Sequence, residues 1–110
     1  MKMMKCIVRP NKVDDVKQAL TALGVTGMTV TEVRGHGHQK GHTAMYRGQE
    51  YAVSLLPKME IEVVVADSLL EDAVRAVMTA ARTGEIGDGR VFVSSVEGSY
   101  RIRTGEREQG

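Results

Sequence analysis

The chain has 110 residues, 42% hydrophobic and 26% charged, with a formal net charge of +1 at pH 7. That length suits one domain, and near-neutral charge with one Phe and no Trp speaks against a dedicated nucleic-acid binder, which needs a basic face or stacking aromatics. No run approaches the roughly 20 apolar residues of a membrane span. The N-terminal MKMMKCIVRP lacks the apolar core and cleavage site of a signal peptide. Cys6 is the single cysteine, so no internal disulfide can form; a cytoplasmic protein is expected.

In chain order, residues 3–8 read as a short strand ended by Pro10, with Cys6 a buried small hydrophobe. Asn11 is placed to cap a helix starting at Lys12. Val13, Val16, Leu20 and Leu23 recur at helical spacing, and Gly24 marks the stop. Residues 26–35 form the second strand. From Gly35 to about Ser54 the chain is polar, with four glycines, three histidines and no apolar periodicity. The second half repeats the pattern. Met59, Ile61, Val63 and Val65 alternate with Lys58, Glu60, Glu62 and Val64, a strand with one buried face. Asp67 or Ser68 caps the next helix, Ser68 and Glu71 fitting a capping box. Leu70, Val74, Val77 and Ala81 form its apolar stripe. A Gly-rich turn follows, then a strand at 90–96 and a short one over about 99–104.

Two strand–helix–strand units in tandem predict an α+β fold of the ferredoxin-like kind. This is a double βαβ sandwich, with an antiparallel four-stranded sheet and two helices on one face. The connector of roughly 20 residues is long for a compact domain, where such loops tend to carry function. On the face away from the helices, Thr29, Thr31, Cys6, Val8 and Val64 are too apolar for a wet surface, which predicts subunit packing.

The chemistry concentrates near the C-terminus. Thr83-Gly84-Glu85-Ile86-Gly87-Asp88-Gly89-Arg90 offers closely spaced backbone N–H groups closed by a fixed positive charge, which suits a phosphate chain. In Arg101-Ile102-Arg103, strand alternation puts both guanidiniums on one face. Two such forks suit a polyphosphate or carboxylate. The same residues also admit a plainer reading, with Gly84 ending a helix, Gly87 to Gly89 making a tight turn, and the arginines solvated.

In combination these segments resemble the PII signal-transduction proteins of nitrogen metabolism, nearly end to end from Met1 to about Glu106. Thr83-x-x-x-Gly87-Asp88-Gly89-Arg90-Val91-Phe92-Val93 is similar to that family's nucleotide-binding B-loop, here about 83–90, and the strand after it. Arg101-Ile102-Arg103-Thr104-Gly105-Glu106 is similar to its C-terminal loop, about 101–106. Thr29-Val30-Thr31-Glu32-Val33, the segment from Gly37 to His42, and Tyr46-Arg47-Gly48 with Tyr51 fall where the family keeps its second strand and its T-loop, about 37–55.

The resemblance implies a homotrimeric sensor rather than an enzyme. ATP and ADP would compete in clefts between subunits, 2-oxoglutarate would bind beside Mg-ATP, and the T-loop would dock onto targets such as an ammonium transporter. No direct nucleic-acid partner is implied, and the membrane would be reached only through a partner. For the nucleotide it implies Thr29, Gly35, Gly37, His38, Gln39, Glu62, Val64, Gly87, Asp88, Gly89, Arg90, Arg101 and Arg103. For 2-oxoglutarate it implies Gly37, Gln39, Lys40, Gly41, Lys58 and Gly87, with Gln39 joining the Mg2+ shell. Tyr51 is implied as a candidate uridylylation site and Arg47 as a partner contact. Read without the resemblance, Lys58 is a solvated charge at a strand end and Asp88 a turn former.

The sequence departs from the family in places. His38 stands where many relatives carry arginine. An imidazole with a pKa of roughly 6.5 is partly charged at neutral pH, so nucleotide affinity is expected to vary with pH near neutrality. His36, His38 and His42 raise a metal-binding reading, weakened by the lack of Cys or acidic residues between Arg34 and Gln49. Gln49 replaces the small residue that usually precedes the modified tyrosine by two positions, and the serine that cyanobacterial relatives phosphorylate. Three rival readings stand beside the sensor. They are a slow ATP-hydrolysing enzyme, a nitrogenase-associated relative, and a divergent adenine-nucleotide sensor that ignores 2-oxoglutarate and acts on another transporter. Gln39, Lys40, Gly41 and Lys58 weigh against the last.

Overall fold

Side-chain alternation decides which face each strand buries, and strand register fixes it. Cys6 lies opposite Ile61 on one side and Val91 on the other. Residues directly opposite in a ladder share a face, so Met4, Cys6 and Val8 join Ile61, Val63 and Val65 in a single apolar layer. The computed structural model describes residues 1–35 and 56–108, and the backbone of 43–46 and 49–52. Its elements are β1 (Lys2–Val8), α1 (Val13–Ala22), β2 (Thr29–Gly35), β3 (Thr43–Tyr46), β4 (Gln49–Ala52), β5 (Leu56–Val65), α2 (Leu70–Ala81), β6 (Gly89–Ser95), β7 (Ser99–Tyr100) and β8 (Arg107–Glu108).

The main sheet runs β2-β5-β1-β6, antiparallel at every pairing. Val16 and Leu20 of α1 and Ala73, Val77 and Ala81 of α2 close over its apolar layer. This is the expected ferredoxin-like α+β arrangement. Cys6 and Val8 are fully or almost fully buried beneath the helices, not on the open face where the sequence reading put them. Burial pushes the Cys6 thiol up to about 11. The open face instead carries Met3, Lys5, Ile7, Glu60, Glu62 and Val64, with Phe92 of β6 opposite Lys5. Phe92 is 51% exposed and Val64 40%. Among the described residues, no helix is long and apolar enough to cross a membrane.

Helix starts differ from the expected caps. Asn11 lies inside a 3-10 turn, Pro10–Lys12, and Ser68 inside another, Asp67–Leu69; neither α-helix has a side-chain cap. The Lys12 N–H donates to the Arg9 carbonyl and the Leu69 N–H to the Ala66 carbonyl, both at 3.0 Å. The tightened turns thus satisfy amide groups at the helix entries that the caps were expected to serve. Asp67 pairs with the Met1 amino group at 2.6 Å instead. At the other end of α1 the expected stop holds. Gly24 takes φ +90°, its N–H reaching the Thr21 carbonyl while the Val25 N–H reaches that of Leu20, a Schellman closure.

Two loop regions contain more structure than the sequence suggested. The polar connector holds a hairpin, β3 against β4, with Tyr46 opposite Gln49. The strand expected over 99–104 is instead a short hairpin of β7 and β8 with a turn at residues 102–104. Backbone bonds between Arg101 and Glu106, and from Gly105 back to Arg101, close that turn. Arg101 and Arg103 therefore do not share a strand face.

Candidate functional site

The loop after α2 is built around one carboxylate. At Arg82 the chain leaves helical geometry, with ψ at 129°, and Asp88 then folds it back. Its oxygens accept from the Thr83 N–H and the Gly84 N–H, each at 2.8 Å, from the Thr83 hydroxyl, and from Arg9 Nε at 3.1 Å. Thr83 Oγ1 accepts in turn from the Glu85 N–H. Burial opposes the charge on Asp88, but these donors outweigh it and hold the carboxyl well below the usual carboxylate range. Asp88 is thus a turn former with a specific task. Gly89 follows at φ +104°, and a Cβ there would stand 1.7 Å from the Ile7 carbonyl oxygen. Only glycine fits at that position.

Two cations hold the next two carbonyls. Arg9 Nη2 donates to the Ile86 carbonyl at 3.0 Å, and Lys58 Nζ to the Gly87 carbonyl at 2.5 Å. Lys58 is only 8% exposed, so the solvated strand-end reading is corrected. Its stem runs over Gly35, where a Cβ would meet Lys58 Cγ at 3.0 Å. Burial lowers the Lys58 pKa, the nearby Arg9 charge adds to the drop, and Asp88 opposes it. Arg90, the second residue of β6, lies opposite Ile7 and is exposed. Below it a cavity of about 350 Å³ is lined by Asp88, Gly89 and Arg90 together with Val77, Ala81 and Val91. Lys58 Nζ therefore meets Gly87, Asp88, Gly89 and Arg90 at one corner of the sheet, while Gly35 lies beside the Lys58 stem at the end of β2.

Thr29, Glu62 and Val64 form a second cluster. Thr29 is paired opposite Glu62, and all three line a cavity of about 490 Å³ with Gly27 and Leu69. Thr29 lies on edge strand β2 and Gly89 on the opposite edge, β6. Three strand spacings separate the two edges, about 14 Å across the sheet. Arg101 and Arg103 sit on the C-terminal hairpin, which forms no ladder with the main sheet. Arg101 Nε is bonded to Glu108 Oε1 at 2.6 Å, while Arg103 is exposed in the turn. Gly37, His38, Gln39, Lys40, Gly41 and Arg47 lie outside the described residues, as do His36 and His42. Tyr51 lies in β4, of which the backbone alone is described. Among the described residues no group of three or more His, Cys, Asp or Glu is placed to hold a metal ion.

Arg9 and Thr83 were not among the candidate residues. Thr83 stands within the loop motif itself, five positions before Asp88, so its signal was present. Arg9 reaches Asp88 across 79 positions of sequence, and no local pattern reports such a contact. Together the corner presents backbone amides, three cations and a carboxylate already consumed by internal bonds, an arrangement suited to an oxyanion ligand.

Comparison with known proteins identifies the family. The family model described as nitrogen regulatory protein P-II matches residues 1–106. A nitrogen regulatory protein P-II of Rhizobium etli is 56% identical over 108 residues, covering 98% of this chain and 96% of its own. Its counterpart in Cereibacter sphaeroides is 57% identical over 106 residues, covering 96% and 95%, and that of Pasteurella multocida 53% identical over 109 residues, covering 99% and 97%. The fold, the Gly-rich corner and these matches agree: the chain belongs to the P-II family of nitrogen regulatory proteins and has a signal-transduction role in nitrogen regulation.

Proposed function

We propose that the chain is a sensor that reads ATP against ADP, and 2-oxoglutarate with Mg-ATP, at clefts between the subunits of a homotrimer. Its T-loop, about 37–55, would then control nitrogen-metabolism proteins such as an ammonium transporter. The observation that carries this reading is the position of the two clusters on opposite edges of one sheet. A copy set beside the chain in a head-to-tail ring brings the β2 edge of one subunit to the β6 edge of the next. The Thr29–Glu62–Val64 cavity then faces the Gly-rich corner, with Phe92 and Val64 covered between copies.

Within such a cleft each group has a physical task. The cavity at Thr29, Glu62 and Val64 takes the adenine. Gly87 and Gly89 let the backbone approach phosphate, and Arg90, Arg101 and Arg103 neutralise it. Lys58 receives a ligand carboxylate by exchanging its Gly87 carbonyl partner for it. Gly37, Lys40 and Gly41 add N–H groups, and His38 adds a partial charge. Gln39 supplies a side-chain oxygen to Mg2+, a hard ligand for a hard ion. Mg2+ held there would supply positive charge to offset the phosphates. Tyr51 and Arg47 are the T-loop's modification and docking residues.

Sedimentation equilibrium and Mg-ATP titration on the same sample test the reading. The expected result is a trimer of the 12.0 kDa chain that binds ATP, with Glu62→Ala weakening ATP while the trimer persists. A monomer that binds ATP with full affinity would contradict the shared cleft.

A further inference from the structure

We propose that Arg9 is a positioning residue that aims the Gly87 N–H outward, toward the phosphate of a bound nucleotide. The inference rests on the nucleotide reading above and adds a residue which that reading does not use.

Peptide geometry sets the direction of the N–H. In a trans peptide the carbonyl of one residue and the N–H of the next point in opposite directions, and among the described residues no peptide bond is cis. Arg9 Nη2 holds the Ile86 carbonyl at 3.0 Å. The Gly87 N–H must therefore point away from Arg9. Lys58 holds the next carbonyl, that of Gly87, at 2.5 Å. The Gly87 N–H has no hydrogen-bond partner among the described residues, while the Asp88 N–H turns toward the Glu85 carbonyl in the turn at residues 86–87. An amide with no internal partner, next to the Lys58 and Arg90 charges, is suited to an anionic ligand.

The guanidinium makes this arrangement specific. Its Nε donates to Asp88 Oδ1 at 3.1 Å while Nη2 donates to the Ile86 carbonyl. One planar fork thus ties the carboxylate that closes the loop to the carbonyl that orients it. Glycine at 87, with φ +104°, leaves this peptide little steric restraint of its own, so external hydrogen bonds must set its orientation. Arg9 itself is three-quarters buried, its side chain 23% exposed.

The test compares Arg9→Gln and Arg9→Lys with the parent chain, titrating Mg-ATP and adenosine separately and recording amide shifts of Gly87 and Asp88 without ligand. Arg9→Gln is expected to weaken ATP about tenfold or more, the loss of one charged hydrogen-bond arrangement, with adenosine affinity unchanged and the two amide shifts moved. Arg9→Lys, which keeps the charge but cannot span both acceptors, is expected to recover only part of the loss. Full recovery in Arg9→Lys, or an equal loss for adenosine and ATP, would overturn the positioning role. If the parent chain binds neither ligand, the nucleotide reading itself fails and the inference falls with it. Binding by the parent with no change in Arg9→Gln sinks the inference alone.

Discussion

At the scale of single residues, Gly89 is the most constrained position of the site. Its φ of +104° and the 1.7 Å separation that an added Cβ would have from the Ile7 oxygen mean that Gly89→Ala must move β1 or the loop. A cost of about 3 kcal/mol or more is expected, combining a left-handed backbone with steric overlap; urea unfolding would measure it, and a loss under about 1 kcal/mol would show that the loop yields. Asp88 makes a pH prediction. Its folded-state pKa lies below the ordinary value of 3.8, so the folded chain binds fewer protons than the unfolded one around that pH. Its contribution to stability is fully present above the ordinary value and is lost as pH falls toward the folded value. Asp88→Asn should therefore be less stable than the parent at pH 7, with the gap narrowing on acidification. A gap that stays constant down to low pH would contradict the ionised network. The plainer sequence reading of Asp88, as a turn former, agrees with its place in the loop. What the sequence did not carry was Arg9, because its partners lie 77 and 79 positions away.

At the scale of elements, what was legible followed from periodicity. The alternation of Met59, Ile61, Val63 and Val65 located β5, and the 3.6-residue spacing of Val16 and Leu20 located α1. The helix entries were not legible, since Asn11 and Ser68 have the chemistry of caps but the chain enters both helices through 3-10 turns that satisfy amides by backbone alone. The face of Cys6 and Val8 was not legible either. A strand with apolar residues on both sides leaves the buried face open until pairing with Ile61 and Met59 fixes it. Local alternation assigns Arg101 and Arg103 to a strand, but a turn closed by Gly105 at φ +74° takes precedence. Their placement gives a prediction at this scale. Arg103→Ala removes an exposed guanidinium from a hairpin turn, so ATP affinity should fall about tenfold while assembly is unchanged. Sedimentation and titration read the two separately, and loss of assembly would make Arg103 structural instead.

At the scale of the whole molecule, sheet order separates the ligand groups. The strands run β2-β5-β1-β6, which puts the Thr29 cavity and the Gly-rich corner on different edges. The central claim is that one site couples nucleotide to a small dicarboxylate through Lys58, now bonded to the Gly87 carbonyl. The most direct test is calorimetric titration of 2-oxoglutarate into the protein with Mg-ATP, with Mg-ADP and with no nucleotide. Binding in the presence of Mg-ATP alone, abolished by Lys58→Met, is the predicted result. Nucleotide binding with no response to 2-oxoglutarate under any of the three conditions would contradict it.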